Sequence, residues 1–99
     1  MSDSIKYWIQ CTIENTGFSR ERQFEVSLPQ SGRVVGTAFI EYLRNAESKP
    51  IQDDEPPYGT STSGFVQCRL IKKSGDSYLV EFPSSDVFHV PPEALTSRA

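Results

Sequence analysis

The chain has little of the chemistry from which active sites are built. It carries one histidine, His89, one tryptophan, Trp8, and two cysteines, Cys11 and Cys68. A single histidine and two cysteines far apart in sequence exclude the clustered Cys and His sets of structural zinc sites, and also a disulfide-dense scaffold. No apolar run is long enough to cross a bilayer as a helix. Gly59-Thr60-Ser61-Thr62-Ser63-Gly64 has paired glycines, but Phe65 and Val66 stand where a phosphate loop needs Lys and then Ser or Thr. Neither Asn15 nor Asn45 has Ser or Thr two residues on, so no glycosylation acceptor exists. Met1-Ser2-Asp3-Ser4 is polar and acidic, unlike a secretory leader, so the expected compartment is the cytoplasm. Net charge is −3, which disfavours nucleic-acid binding by bulk charge. No cofactor, metal or catalytic set is expected, and no motif points to a particular family.

What the chain does have is alternation. Ile5, Tyr7, Ile9, Cys11 and Ile13 fall on one face of a first strand, with Lys6, Trp8, Gln10, Thr12 and Glu14 on the other. After the turn Asn15-Thr16-Gly17, Phe24, Val26 and Leu28 alternate with Gln23, Glu25 and Ser27. The clearest block is 64–95. Val66, Cys68 and Leu70 share a face, Lys72 to Asp76 makes a turn, and Tyr78, Val80 and Phe82 alternate again. Pro83 then breaks the run, since it has no N–H to give a central strand. Val87–Val90 is the next strand, and Pro92 opens one C-terminal helical turn. Cross-strand partners share a face, so Tyr78 and Val80 must pair with Phe88 and Val90, which puts Glu81 and His89 together on the other face.

Residues 1–99 therefore read as a single domain, mainly β: a small antiparallel SH3-like barrel or roll of five or six strands with a short C-terminal helical turn. Residues 33–46 are ambiguous. Val34, Val35, Ile40 and Gly36 favour a strand over 34–40, whereas 38–46 has better helix propensity. A helix near 38–46 would make the fold an α+β β-grasp instead. Residues 47–64 are acidic and proline-rich at first and then wholly polar; they are expected to form a mobile loop without secondary structure.

Each candidate site has a plain structural counterpart. Cys11 and Cys68 lie on apolar faces and are expected to be buried, reduced thiols. Glu81 beside His89 is the minimum for general-base work, yet no nucleophile accompanies it. Asp53-Asp54-Glu55 could hold a divalent cation but lacks calcium-loop spacing. Trp8 stands on the polar face of the longest strand. It is expected to be partly exposed as a partner anchor, or else covered by the chain's tail, with Leu95 as the cover. Tyr42 and Tyr58 are further aromatic anchors, and Arg20, Arg22, Arg69, Lys72 and Lys73 could form a basic rim. The expected function is a non-enzymatic small binding module or accessory subunit acting through protein–protein contacts with a protein partner. The alternative is a nucleic-acid-associated small β-barrel, and a third is a hydrolase or transferase. No membrane partner is expected.

Overall fold

The computed structural model describes residues 5–29 and 31–97. The described residues form eight strands: β1 Lys6–Glu14, β2 Glu21–Leu28, β3 Gly32–Phe39, β4 Leu43–Asn45, β5 Ser61–Ser74, β6 Ser77–Glu81, β7 Val87–Val90 and β8 Leu95–Thr96. Six of them lie in the antiparallel order β3-β2-β1-β5-β6-β7, while β4 pairs with β5 and β8 with β1. The sheet is mainly β and antiparallel, as expected, and curls into a half-barrel. The two short strands escaped the sequence reading because three and two residues are too few to show a period.

The longest ladder is β1 against β5, paired from Lys6↔Arg69 to Glu14↔Ser61. The inward side of this ladder buries Ile9, Cys11, Ile13, Val66 and Cys68 with Phe24, Val26, Val80, Phe82 and Val90. Phe24 meets Phe82 at 5.8 Å between ring centroids, and Phe82 meets Phe88 at 6.0 Å, so one row of rings links β2 to β6 and β7 across the curl. On the same closure Gly36 of β3 lies so near Ser84 and Phe24 that a Cβ there would clash with both. Both thiols are free and buried, and burial pushes each up to about 12. The second hairpin has the expected parity, with Tyr78↔Val90 and Val80↔Phe88.

Residues 38–46 settle the β-grasp alternative against a helix. β3 runs to Phe39, a single 3-10 turn covers Ile40–Tyr42, and β4 follows directly. Ile40 and Leu43 are both buried, and a spacing of three suits one 3-10 turn, where side chains three apart eclipse. The C-terminal turn is likewise 3-10, over Pro92–Ala94, with proline at its start.

The polar run Ser61–Gly64, expected in the loop, is instead the first part of β5 and pairs with Cys11–Glu14. Gly64 sits where β4 crosses, with the Arg44 carbonyl and Ile13 occupying the space of a side chain. At Gly64 the close approach itself requires glycine, and Ser61 and Ser63 are exposed with Thr62 half-buried between them. The rest of the segment has no strand or helix but is tied down. Ile51 and Pro56 are buried, Asn15 donates through Nδ2 to the Pro56 carbonyl at 2.9 Å, and Asn15 and Gly59 share a backbone hydrogen bond.

Its main clasp is Arg22, only 1% exposed. The guanidinium donates to the carbonyls of Asp53 at 2.8 Å, Glu55 at 2.9 Å, Glu21 at 3.0 Å and Phe18 at 3.3 Å. Arg22 shares the inward parity of Phe24 and Val26, so the strand phase itself sends a cation inward, where main-chain oxygens neutralise its demand for acceptors. Replacing Arg22 by Met keeps the stem and strips these bonds, leaving four partly buried carbonyls without this donor. A loss of about 3 kcal/mol is expected in urea unfolding, with faster amide exchange at Gln52–Glu55. A loss below about 1 kcal/mol would contradict the clasp.

Candidate functional site: the cleft between β4 and β6

β5 is longer than any strand on its far side, so that side is shared. β4 takes Gly64–Val66 and β6 takes Arg69–Ser74. Continuing the β6 register would place residue 83 opposite residue 67, but residue 83 is proline and cannot donate. On the other side the 3-10 turn carries Tyr42 out of the ladder. The sheet therefore splits at Gln67 and Cys68, leaving an open depression of about 270 Å³. Tyr42 forms one wall and Phe82, Pro83 and Ser85 the other, while Lys6, Arg69 and Glu81 stand at the mouth.

The electrostatics of the mouth are simple. Arg69 grips Glu81 through Nε at 3.1 Å and Nη2 at 2.8 Å. Lys6 has no carboxylate partner among the described residues, so the mouth carries one uncompensated cation. Tyr42 is exposed beside it. An aromatic wall, a proline wall and a free ammonium can hold an extended chain bearing an apolar residue next to an acidic one.

Of the residues singled out in the sequence, the structure brings Tyr42 and Arg69 together here. The others lie elsewhere. Arg22 is the buried clasp. Arg20 is exposed and pairs with Asp53 at 3.4 Å and Glu41 at 4.0 Å. Lys72 and Lys73 lie at the β5–β6 hairpin, where Lys73 sits 5.3 Å from the Tyr78 ring centre. Arg20 and Arg22 lie at the start of β2 and Lys72 and Lys73 at the β5–β6 hairpin, so they form no common rim. Tyr58 is 73% exposed, with its ring against Gly17. Lys6 and Pro83 join the cleft without having stood out in the sequence as site residues. Lys6 was legible only as one polar residue in an alternating strand, and Pro83 only as a strand breaker.

Trp8 is a correction. It is 9% exposed, not a partly exposed anchor. The guanidinium of Arg44 lies 4.7 Å from its ring centre, and β8 brings Thr96 alongside it in register. Leu95, the expected cover, pairs with Ile9 and packs against the core instead. Strand parity explains the difference, since neighbouring residues of β8 face opposite ways.

The remaining chemistry does not assemble. Glu81 and His89 are diagonal across β6 and β7, but Glu81 is held by Arg69 and His89 Nδ1 is 3.2 Å from Ser77 Oγ. Among the described residues no three His, Cys, Asp or Glu side chains are placed to hold a metal. Ser61–Gly64, the glycine-flanked polar run, is committed to the β1 ladder. The chain matches no protein-family profile, no curated protein and no solved structure.

The Arg44–Trp8 stack predicts a blue-shifted Trp8 emission that acrylamide quenches poorly. Replacing Arg44 by Ala should shift emission to the red and cost about 1 kcal/mol. Red emission in the unmodified protein would contradict the burial.

Proposed function

We propose that the protein is a non-enzymatic binding module, with the half-barrel serving as an SH3-like scaffold and the β4–β6 cleft receiving an extended segment of a protein partner. The observation that carries the reading is the convergence of Tyr42, Pro83 and the uncompensated Lys6 on one opening in the sheet. The bound segment places an apolar side chain between Tyr42 and Pro83 and a carboxylate over Lys6. Aromatic walls give large contact area for little ordering cost, and one peripheral charge fixes direction. The two reduced, buried thiols fit a cytoplasmic setting. No helix among the described residues is long and apolar enough to cross a membrane.

A second reading, binding to single-stranded nucleic acid, draws on Lys6, Arg44 and Arg69 beside Trp8 and Tyr42. The Arg44–Trp8 stack and the Arg69–Glu81 pair already commit two of these cations, which favours the protein partner.

Selection from a displayed library of random peptides tests the proposal. Enriched sequences should carry an acidic residue near an apolar one, and their binding should fall about tenfold in both Tyr42→Ala and Lys6→Glu. Failure to enrich any sequence, or binding indifferent to both changes, would sink it. Salt-sensitive binding of mixed single-stranded oligonucleotides, lost in Lys6→Glu, would replace it by the second reading.

A further inference from the structure

Two strands end the six-stranded path, and they are unlike. β7 spans four residues, and the bond from Phe82 N–H to the Asp86 carbonyl at 2.9 Å fixes its phase. Antiparallel pairs alternate between bonded and non-bonded, so only Val87 and His89 direct their main-chain groups outward. Pro91 follows immediately. This edge is short and capped, as free edges usually are.

β3 is the opposite case. It is eight residues long and pairs with β2 in unbroken register from Glu21↔Phe39 to Leu28↔Gly32. Ile40 N–H donates to the Arg20 carbonyl at 2.9 Å, which makes Arg20 and Ile40 a bonded pair. By alternation Gly32, Val34, Gly36 and Ala38 bond to β2, while Arg33, Val35, Thr37 and Phe39 direct N–H and C=O away from it. No other strand pairs with β3 among the described residues. The side chains of the same four residues stand on the outer face, where Val35 is 48% and Phe39 53% exposed. β3 contains no Lys, no Pro and no bulge, and its one charge, Arg33, is held by Glu25 at 2.7 Å. An open groove of about 180 Å³ is lined by Thr37, Ala38 and Phe39 together with Tyr42, Pro83 and Ser84. A long, regular, half-apolar edge is the form that pairs with another strand.

We infer that the occupant of this edge is β3 of a second copy of the chain, paired antiparallel about a two-fold axis. The β3 sequence is complementary to itself. Outward groups must meet outward groups, so partner numbers sum to an even value, and centring on Gly36 overlaps all of 33–39. Val35 of one copy then bonds Thr37 of the other, placing two β-branched side chains face to face, and Arg33 bonds Phe39. In that row the next residue of the second copy is Glu21, the partner of Phe39 in the β2–β3 ladder. Glu21 has no ion-pair partner among the described residues. Arg33, paired with Glu25 in its own copy, thus also lies beside the Phe39 ring of the other, with the unpaired Glu21 carboxylate beyond it. Two-fold symmetry makes each of these contacts twice.

Sedimentation velocity of the full chain over a range from micromolar to millimolar tests this. The expected result is reversible dimerisation. Thr37→Pro removes an outward N–H that the β2 ladder does not use, and should weaken the dimer at least tenfold. Val35→Lys, a change to an exposed residue, provides the same test should the proline variant fail to fold. Arg33→Glu and Glu21→Arg should each weaken association about tenfold, and the double variant should recover it. A monomer at every concentration would overturn the inference. So would a dimer indifferent to both Thr37→Pro and Val35→Lys. A dimer weakened by the single charge changes but not rescued by the double variant would overturn the register centred on Gly36.

Discussion

The structure depends on one ladder. β1 and β5 are paired without interruption from Lys6↔Arg69 to Glu14↔Ser61, and both strands outrun every other partner they have. Their far sides are therefore divided. β1 gives Thr12–Glu14 to β2 and Trp8–Ile9 to β8, and β5 gives Gly64–Val66 to β4 and Arg69–Ser74 to β6. A sheet that forks on both sides of its central pair cannot stay flat, and it curls around the side chains that the pair turns inward. The same forking leaves gaps in the wall. The gap on β5 is the candidate site, with Pro83 and the 3-10 turn preventing its closure. The gap on β1 is lined by Gln10, Thr12, Glu25, Ser27, Ser63 and Glu93 among others and has no aromatic wall.

Two kinds of contact complete the curl. The Phe24, Phe82 and Phe88 rings join the β2 side to the β6–β7 side through apolar packing, and the small Gly36 lets Ser84 approach β3. The long segment between β4 and β5 is held differently. It offers Ile51 and Pro56 to the interior, and its carbonyls go to Arg22 and Asn15. A guanidinium suits this role because its fork of donors can satisfy several carbonyls at once, and each buried carbonyl left without a donor would cost about 1–3 kcal/mol.

Period-two alternation made the main strands legible, and with them the burial of Cys11 and Cys68 and the parity of the last hairpin. It failed where side-chain character and strand phase disagreed. Arg22 shares the phase of Phe24, yet its charge argued for the surface, and the carbonyls of Asp53 and Glu55, far along the chain, join those of Phe18 and Glu21 to explain its burial. Trp8 shares the phase of Lys6 and Gln10, yet Arg44 covers it from a strand of three residues that has no signal of its own. Ser61–Gly64 reads as a linker because it pairs with β1 without an apolar side chain of its own, and Gly64 is held to glycine by the approach of Arg44 and Ile13. In the candidate site Tyr42 and Arg69 were legible as surface residues. Their meeting was not, because it follows from where β4 stops and β6 begins along β5.

Residue-resolved hydrogen exchange in increasing denaturant tests the primacy of the β1–β5 ladder most directly. Leu70 N–H bonds the Ile5 carbonyl at 2.8 Å, so alternation assigns the amides of Tyr7, Ile9, Cys11, Ile13, Thr62, Gly64, Val66 and Cys68 to bonds across this ladder. The account predicts that these amides exchange only through global unfolding, with the free energy and denaturant slope of the whole protein, while those of β7 and the β2–β3 hairpin open at lower cost. Exchange of the ladder amides through a smaller opening than that of β6 and β7 would contradict it.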